Sequence, residues 1–381
     1  MIQIPIESPI TEFLHAKASK LKTPISGTFE LTPVCNMSCR MCYVRMTKKE
    51  QEAIRPLISA QEWIKLGQTA KDNGLLFLLL TGGEPFSRPD FKEIMQALHK
   101  MGLVISINSN GTLINEKTIE WLKETPPSRI NMTLYGASDE TYARLCNNPH
   151  GFTQATSAIR LLKKAGITVK LNCSVTPYNA DDLEEIIAFA KREDLVIQAT
   201  SYMFPPLRRD ASKVGVNDRF SPEDAAYYAA KIEMLLNGED AFLERIKSND
   251  FPALTTDMEE DCGEIEGEGI RCRAGKCSYW VTWDGRMLPC GMLPQAGVNV
   301  FERGFEAAWQ EAIEYAEGIR LPAKCKDCGM KNTCRACASM VFTESGDFCT
   351  VPDYRCRMTK AYPAACKKLE AEILEARNAE K

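Results

Sequence analysis

An α/β fold is predicted for this chain: six β–α units in series forming a partial parallel barrel, followed by a small cysteine-rich domain. Three observations carry the prediction. Between about residues 27 and 202, short apolar, β-branched segments alternate with amphipathic ones. The loops rich in Gly, Asn and Cys follow the strand-like segments. Beyond these units, nine cysteines fall between Cys272 and Cys356.

Strands are expected at 28–32, 75–80, 103–107, 129–134, 167–174 and 196–202. The first helix starts at the capping box formed by Ser59 and Glu62, ahead of the periodic run Trp63, Leu66 and Ala70. Further helices fit 90–100, 115–124, 153–165 and 181–192. Right-handed crossovers between such units give a parallel sheet that curls toward a barrel, with its chemistry at the C-terminal strand ends. Residues 203–271 change character and read as a bridge, with Pro205, Pro206 and a helix capped by Ser221 and Pro222 that runs to about 237. The expected boundaries are an N-terminal extension 1–26, the barrel 27–202, the bridge 203–271, the cysteine-rich domain 272–360 and a terminal helix 361–381.

Composition narrows the function classes. With 381 residues, 44% hydrophobic and 26% charged, the chain has room for one large domain and a smaller one. A net charge of −4 and a pI near 5.7 give no footprint for a nucleic-acid partner. No secretory segment opens the sequence, and the longest apolar run, LLFLLL, is too short to span a membrane. A cytoplasmic protein is expected, and there sixteen cysteines point to metal rather than disulfides. Only His15, His99 and His150 are available, which weakens any histidine-based metallohydrolase or nucleophile mechanism. Seven acids between Asp257 and Glu268 read as a solvated face, or as a dock for a basic peptide.

The loops carry the chemistry. After the first strand, Cys35, Cys39 and Cys42 lie within eight residues. TGGEP follows the second strand, where Gly82 and Gly83 permit close backbone approach, Glu84 supplies an acceptor and Pro85 closes the motif. Ser109 and Asn110 follow the third strand, Thr133 ends the fourth, and Arg144 lies on the next helix. Taken singly, these are ordinary turns and a solvated arginine; together they converge on one barrel mouth. Three thiolates leave one site of a four-ligand centre open for inner-sphere chemistry. The alternative is a zinc knuckle completed by Cys146 or Cys173.

At these residues the chain resembles the radical S-adenosylmethionine (SAM) superfamily, through C-x3-C-x2-C at Cys35, Cys39 and Cys42 and through GGEP at residues 82–85. Met41 stands where that family usually has an aromatic residue. The resemblance implies that the three cysteines hold a [4Fe–4S] cluster whose fourth iron binds SAM. Reductive cleavage of SAM then yields a 5′-deoxyadenosyl radical. It further implies that Gly82, Gly83, Glu84 and Pro85 bind the methionyl amine, with Ser109, Asn110, Thr133 and Arg144 contacting ribose and carboxylate.

The later cysteines run Cys272-x4-Cys277-x12-Cys290, Cys325-x2-Cys328-x5-Cys334-x2-Cys337, then Cys349 and Cys356. Alone this segment reads as zinc-binding. With the barrel before it, the order resembles the SPASM extension of radical SAM enzymes, which holds two auxiliary iron–sulfur clusters. The spacing between Cys334 and Cys337 is two residues where that extension usually has three. The resemblance implies one cluster on Cys272, Cys277, Cys290 and Cys337 and another on Cys325, Cys328, Cys334 and Cys356, with Cys349 competing for the last place. Cys146, Cys173, Cys262 and Cys366 remain as buried thiols or hydrogen-atom donors.

Such enzymes mostly modify peptide or protein residues. The expected activity is therefore maturation of a ribosomally made peptide by cross-linking, epimerisation or oxidation, using an external flavodoxin- or ferredoxin-like electron donor. About 26 residues precede the first strand, so leader recognition is expected to use a separate protein or a different surface of the chain. A sulfatase-type maturase making formylglycine is the second reading, weakened because Gly291 stands where those enzymes usually place an aspartate. A non-catalytic iron–sulfur sensor or electron carrier is the third.

Overall fold

A computed structural model describes residues 8–248, 269–293, 297–326 and 328–379. The alternation of short strands and helices becomes β1 (Ser26–Glu30), β2 (Phe77–Thr81), β3 (Val104–Ser109), β4 (Arg129–Thr133), β5 (Val169–Ser174) and β6 (Val196–Thr200). Each pairs in parallel with its sequence neighbour, and the helices that join them lie at Ala60–Asp72, Phe91–Lys100, Glu116–Glu124, Gly151–Lys164 and Leu183–Arg192. The expected strands and helices therefore form, with ends displaced by a few residues. Phe29, Leu80, Ile107, Ile130 and Leu171 are fully buried in one core, where Trp63 packs on Phe29 with ring centroids 5.2 Å apart. Ser59 and Glu62 form both hydrogen bonds of the expected capping box.

One feature of the sheet lies beyond the strand pattern. The cysteine-rich segment contributes β7 (Ser278–Val281), β8 (Arg286–Leu288) and β9 (Val298–Asn299). The strand β7 pairs in parallel with β1, while β8 and β9 follow antiparallel, giving the order β6-β5-β4-β3-β2-β1-β7-β8-β9. The edge of β1, which would otherwise present unpaired N–H and C=O groups, is thereby covered. The barrel stays open, with β6 and β9 as its outer strands.

The bridge helix forms at Pro222–Asn237, with Ser221 accepting from the Asp224 amide. The terminal helix begins earlier than residue 361: it runs from Asp353 to Ala379 and binds the bridge helix through Arg357–Glu223 and through Tyr227 Oη, which donates to Glu372 at 2.6 Å. A short helix, Lys48–Ile54, carries a second capping box, Thr47 with Glu50, that was legible as TKKE but not anticipated. Among the described residues no helix is long and apolar enough to cross a membrane. The acidic run Asp257 to Glu268, with Cys262, lies outside the described residues.

Candidate active site

The three-cysteine loop leaves β1 and is tied to the helix Asp139–Cys146. Ser38 N donates to the Cys146 carbonyl at 2.9 Å, Arg40 N to that of Leu145 at 3.1 Å, and Arg40 Nε to that of Arg144 at 3.2 Å. These are orphan carbonyls of a helix C-terminus, so the loop completes the helix while the helix fixes the loop. Met37 N donates to Cys35 Sγ at 3.4 Å and Arg45 N to Cys42 Sγ at 3.3 Å. Burial pushes the Cys35 thiol up to about 12 and raises that of Cys42, whereas hydrogen bonding from Cys146, aided by Tyr135, holds Cys39 below its ordinary value. The structure thus places Cys146 directly behind the loop.

The glycines of TGGEP serve this loop. A Cβ on Gly82 would lie 2.4 Å from the Thr32 carbonyl oxygen, and one on Gly83 would lie 2.4 Å from that of Val34. The space is taken by paired backbones: Gly83 N donates to Thr32 O at 2.6 Å and Glu84 N to Val34 O at 3.0 Å. Glu84 is fully buried, and its carboxylate accepts from Ser109 Oγ at 2.9 Å, Asn110 N at 2.8 Å and Phe86 N at 3.1 Å. Burial nevertheless pushes its pKa up to about 7. Asn110 continues the clasp, its Nδ2 donating to Asn36 Oδ1 at 2.9 Å and approaching Cys35 Sγ at 3.7 Å. Glu84, Ser109 and Asn110 are therefore brought together beside Cys35, with Pro85 opening the short turn behind them.

Thr133 ends β4 in register with Asn172. Arg144 gives Nε and Nη2 to the Tyr178 carbonyl at 3.1 and 2.7 Å, tying the loop after β5 to the helix behind the cysteines. A polar row went unread in the sequence. Alternate positions of the strands place Asn108, Asn131, Thr133, Asn172 and Gln198 on the sheet face opposite Ile107, Met132 and Leu171. Asn131 Nδ2 donates to Asn108 Oδ1 at 2.9 Å, while Asn131 Oδ1 is buried without a partner. The signal was the alternation itself in VISINS, RINMT and VKLNCS.

A second missed group joins the two cysteine regions. Arg208 grips Glu30 with two 2.7 Å hydrogen bonds, Trp280 Nε1 donates to Glu30 at 3.0 Å, and the Arg208 guanidinium lies 5.8 Å from the Tyr43 ring. Tyr43 in turn is an electrostatic neighbour of both Cys42 and Cys290.

In the C-terminal third, Cys356 has Cys325, Cys328 and Cys334 as electrostatic neighbours, and Cys325 has Cys328 and Cys334. Cys349 is exposed in a turn capped by Asp347. Cys337 caps the helix Ala338–Ser345 and neighbours Cys290, which touches Ser339 Oγ at 3.3 Å. Cys272 packs in the same apolar cluster as Cys290. Cys277 sits apart from that cluster, packed with Ala18 and Ile25, and Ser19 Oγ donates to its Sγ at 3.1 Å. Among the described residues no group of three or more Cys, His, Asp or Glu is arranged to hold a metal ion. Sets made of thiolates alone are the donor chemistry of iron–sulfur clusters.

Residues 29–190 match the radical SAM superfamily model. That segment is a radical SAM domain. The radical SAM family binds a [4Fe–4S] cluster and SAM, and the cysteine-rich C-terminal third is of the SPASM type. This radical SAM enzyme is 26% identical over 337 residues to the AdoMet-dependent heme synthase of Methanosarcina barkeri, covering 84% of this chain and 93% of that one. It is also 26% identical over 333 residues to the PqqA peptide cyclase of Ruegeria pomeroyi, covering 84% and 83%. Streptococcus suis SuiB bound to precursor peptide SuiA shares the fold at a TM-score of 0.66 and 18% identity, covering 92% of this chain and 82% of that one.

Proposed function

We propose that this radical SAM enzyme matures a ribosomally made peptide, abstracting hydrogen from one of its residues and leaving a cross-link, an epimer or an oxidised side chain. The observation that carries the reading is the gathering of Cys325, Cys328, Cys334 and Cys356 beyond the barrel. SAM cleavage needs one cluster, whereas oxidation of a substrate radical needs somewhere for an electron to go. The group bound at Cys35, Cys39 and Cys42 supplies one-electron cleavage of SAM. The chain's own part is to hold that group still. Glu84, Ser109 and Asn110 lock the neighbouring loops, Gly82 and Gly83 bring their backbones together, and Thr133 and the polar row face the mouth for ribose and substrate contacts. Arg144 acts through Tyr178 and the loop carbonyls.

In this reading the SPASM domain holds two auxiliary clusters, one on Cys325, Cys328, Cys334 and Cys356, the other including Cys272, Cys290 and Cys337. A flavodoxin- or ferredoxin-like donor supplies electrons in the cytoplasm. The relatives named as peptide-modifying support the substrate class. Formylglycine formation is disfavoured locally, because a Cβ on Gly291 would lie 2.6 Å from the Trp280 ring, leaving no room for a side-chain base.

A haem precursor is the second reading, favoured by the heme synthase relative and by cations at the loop. Arg45 Nε is buried without a hydrogen bond, and Arg209 is an electrostatic neighbour of Cys42. The deciding experiment measures 5′-deoxyadenosine release from SAM by the reconstituted enzyme with a strong reductant. It compares a precursor peptide encoded beside the gene with an iron porphyrin bearing propionates. Stimulation by the peptide, with transfer of its deuterium into deoxyadenosine, is expected. Stimulation by the porphyrin alone would replace the first reading with the second.

A further inference from the structure

Arg355 immediately precedes Cys356 on the helix Asp353–Ala379 and is fully buried, with 0% exposure. Its guanidinium Nε donates to the Cys334 carbonyl at 3.1 Å and Nη2 donates to the same oxygen. Nη1 reaches Met358 Sδ at 3.5 Å, and the group lies 5.8 Å from the centre of the Tyr202 ring. None of these partners carries a charge. The carboxylate on the other side of Tyr202, Glu344, is already held by Arg219 at 2.6 and 2.8 Å and accepts the Tyr202 hydroxyl at 2.6 Å. Among the described residues, Arg355 is therefore a full positive charge inside the protein with no anion beside it. A buried arginine cannot escape by losing its proton, so its environment has to supply the counter-charge.

The surroundings name the anion. Arg355 holds the carbonyl of Cys334 and immediately precedes Cys356, so it is fixed to two of the four cysteines of the distal group. We infer that Arg355 is the counter-charge of an anionic iron–sulfur cluster held by Cys325, Cys328, Cys334 and Cys356, and that it raises the reduction potential of that cluster. The inference rests on the reading of these four cysteines as a cluster site. A cluster with four thiolate ligands is negatively charged and becomes more so on reduction, so a fixed cation stabilises the reduced form more than the oxidised one. The carbonyl contacts hold the guanidinium in place without neutralising it. Arg355 is a tuning residue, distinct from the groups that touch SAM or substrate.

The test uses the full chain, reconstituted anaerobically with iron and sulfide, as wild type, Arg355→Lys and Arg355→Met. Iron is counted, and the signal that Cys334→Ala removes is followed by electron paramagnetic resonance during a redox titration. Arg355→Met is expected to shift that midpoint potential negative, with Arg355→Lys close to wild type. Metal-free Arg355→Met should melt no lower than metal-free wild type, because the uncompensated charge has gone. Loss of the cluster in Arg355→Met with its retention in Arg355→Lys also supports the inference. An unmoved potential at full iron loading overturns it, as does equal loss of the cluster in both variants, which would assign the role to hydrogen-bond geometry. Wild type that loads only the iron of the first loop removes the four-cysteine reading and the inference with it.

Discussion

Glu84 shows how much a buried carboxylate is asked to do at this site. Three donors favour its charged form, yet complete burial outweighs them and raises it from 4.5 to about 7. The folded chain thus binds this proton more tightly than the unfolded chain does. The contribution to stability is full below about pH 4.5 and is lost as pH rises to about 7. At about 1.4 kcal/mol per unit, it amounts to about 3 kcal/mol across that window. Glu84→Gln should flatten the dependence of melting temperature on pH between 4.5 and 7, read by calorimetry. Persistence of the full slope would assign it to another group. Glu84 was legible as a mouth residue from TGGEP, but its burial and its partners 25 and 26 residues away were not. Arg144 is similar: its place on a helix was readable, its engagement with Tyr178 was not.

At the scale of elements, the loops after β1, β2 and β3 form one unit. The backbone of residues 82–84 runs against that of residues 32–34, so the two glycines are required by chain packing before any ligand enters. Gly83→Ala would drive a methyl group into the Val34 carbonyl and push the cysteine loop outward. SAM cleavage should fall on the order of 10²-fold, the usual cost of displacing reacting groups by about 1 Å. The circular dichroism spectrum should stay that of the parent, because the core strands Phe77–Thr81 and Ser26–Glu30 lie before the contact. A variant with parent activity would show that the loops yield cheaply. The capping box of Ser59 and Glu62 was readable because its partners are three residues apart. The covering of β1 by β7 was not, since about 250 residues separate Ser26 from its register partner Ser278.

For the whole molecule, that pairing decides the architecture of the chemistry. It joins the cysteine-rich third to the first barrel strand, and Trp280, Glu30, Arg208 and Tyr43 then connect the two cysteine regions through hydrogen bonds and a cation–π contact. If the distal cysteines serve the substrate radical rather than SAM cleavage, the two functions separate by mutation. Cys334→Ala should lose about four irons and form no modified product, while releasing deoxyadenosine near the parent rate. Loss of both activities would show that the regions act as one. Unchanged product would make the distal group dispensable.

The chain's linear order was enough for the β–α alternation, the caps, the loops that carry chemistry and the spacing of the cysteines, because periodicity and spacing are local properties of a polymer. Tertiary structure alone decided the rest. It set Cys356 near Cys325, Cys328 and Cys334, Cys337 beside Cys290, and Cys277 against Ser19. It also spent the carboxylate of Glu84 on backbone and hydroxyl donors, and left Arg355 buried without an anion. Burial and charge compensation depend on what lies nearby in space, and those neighbours come from segments tens to hundreds of residues away.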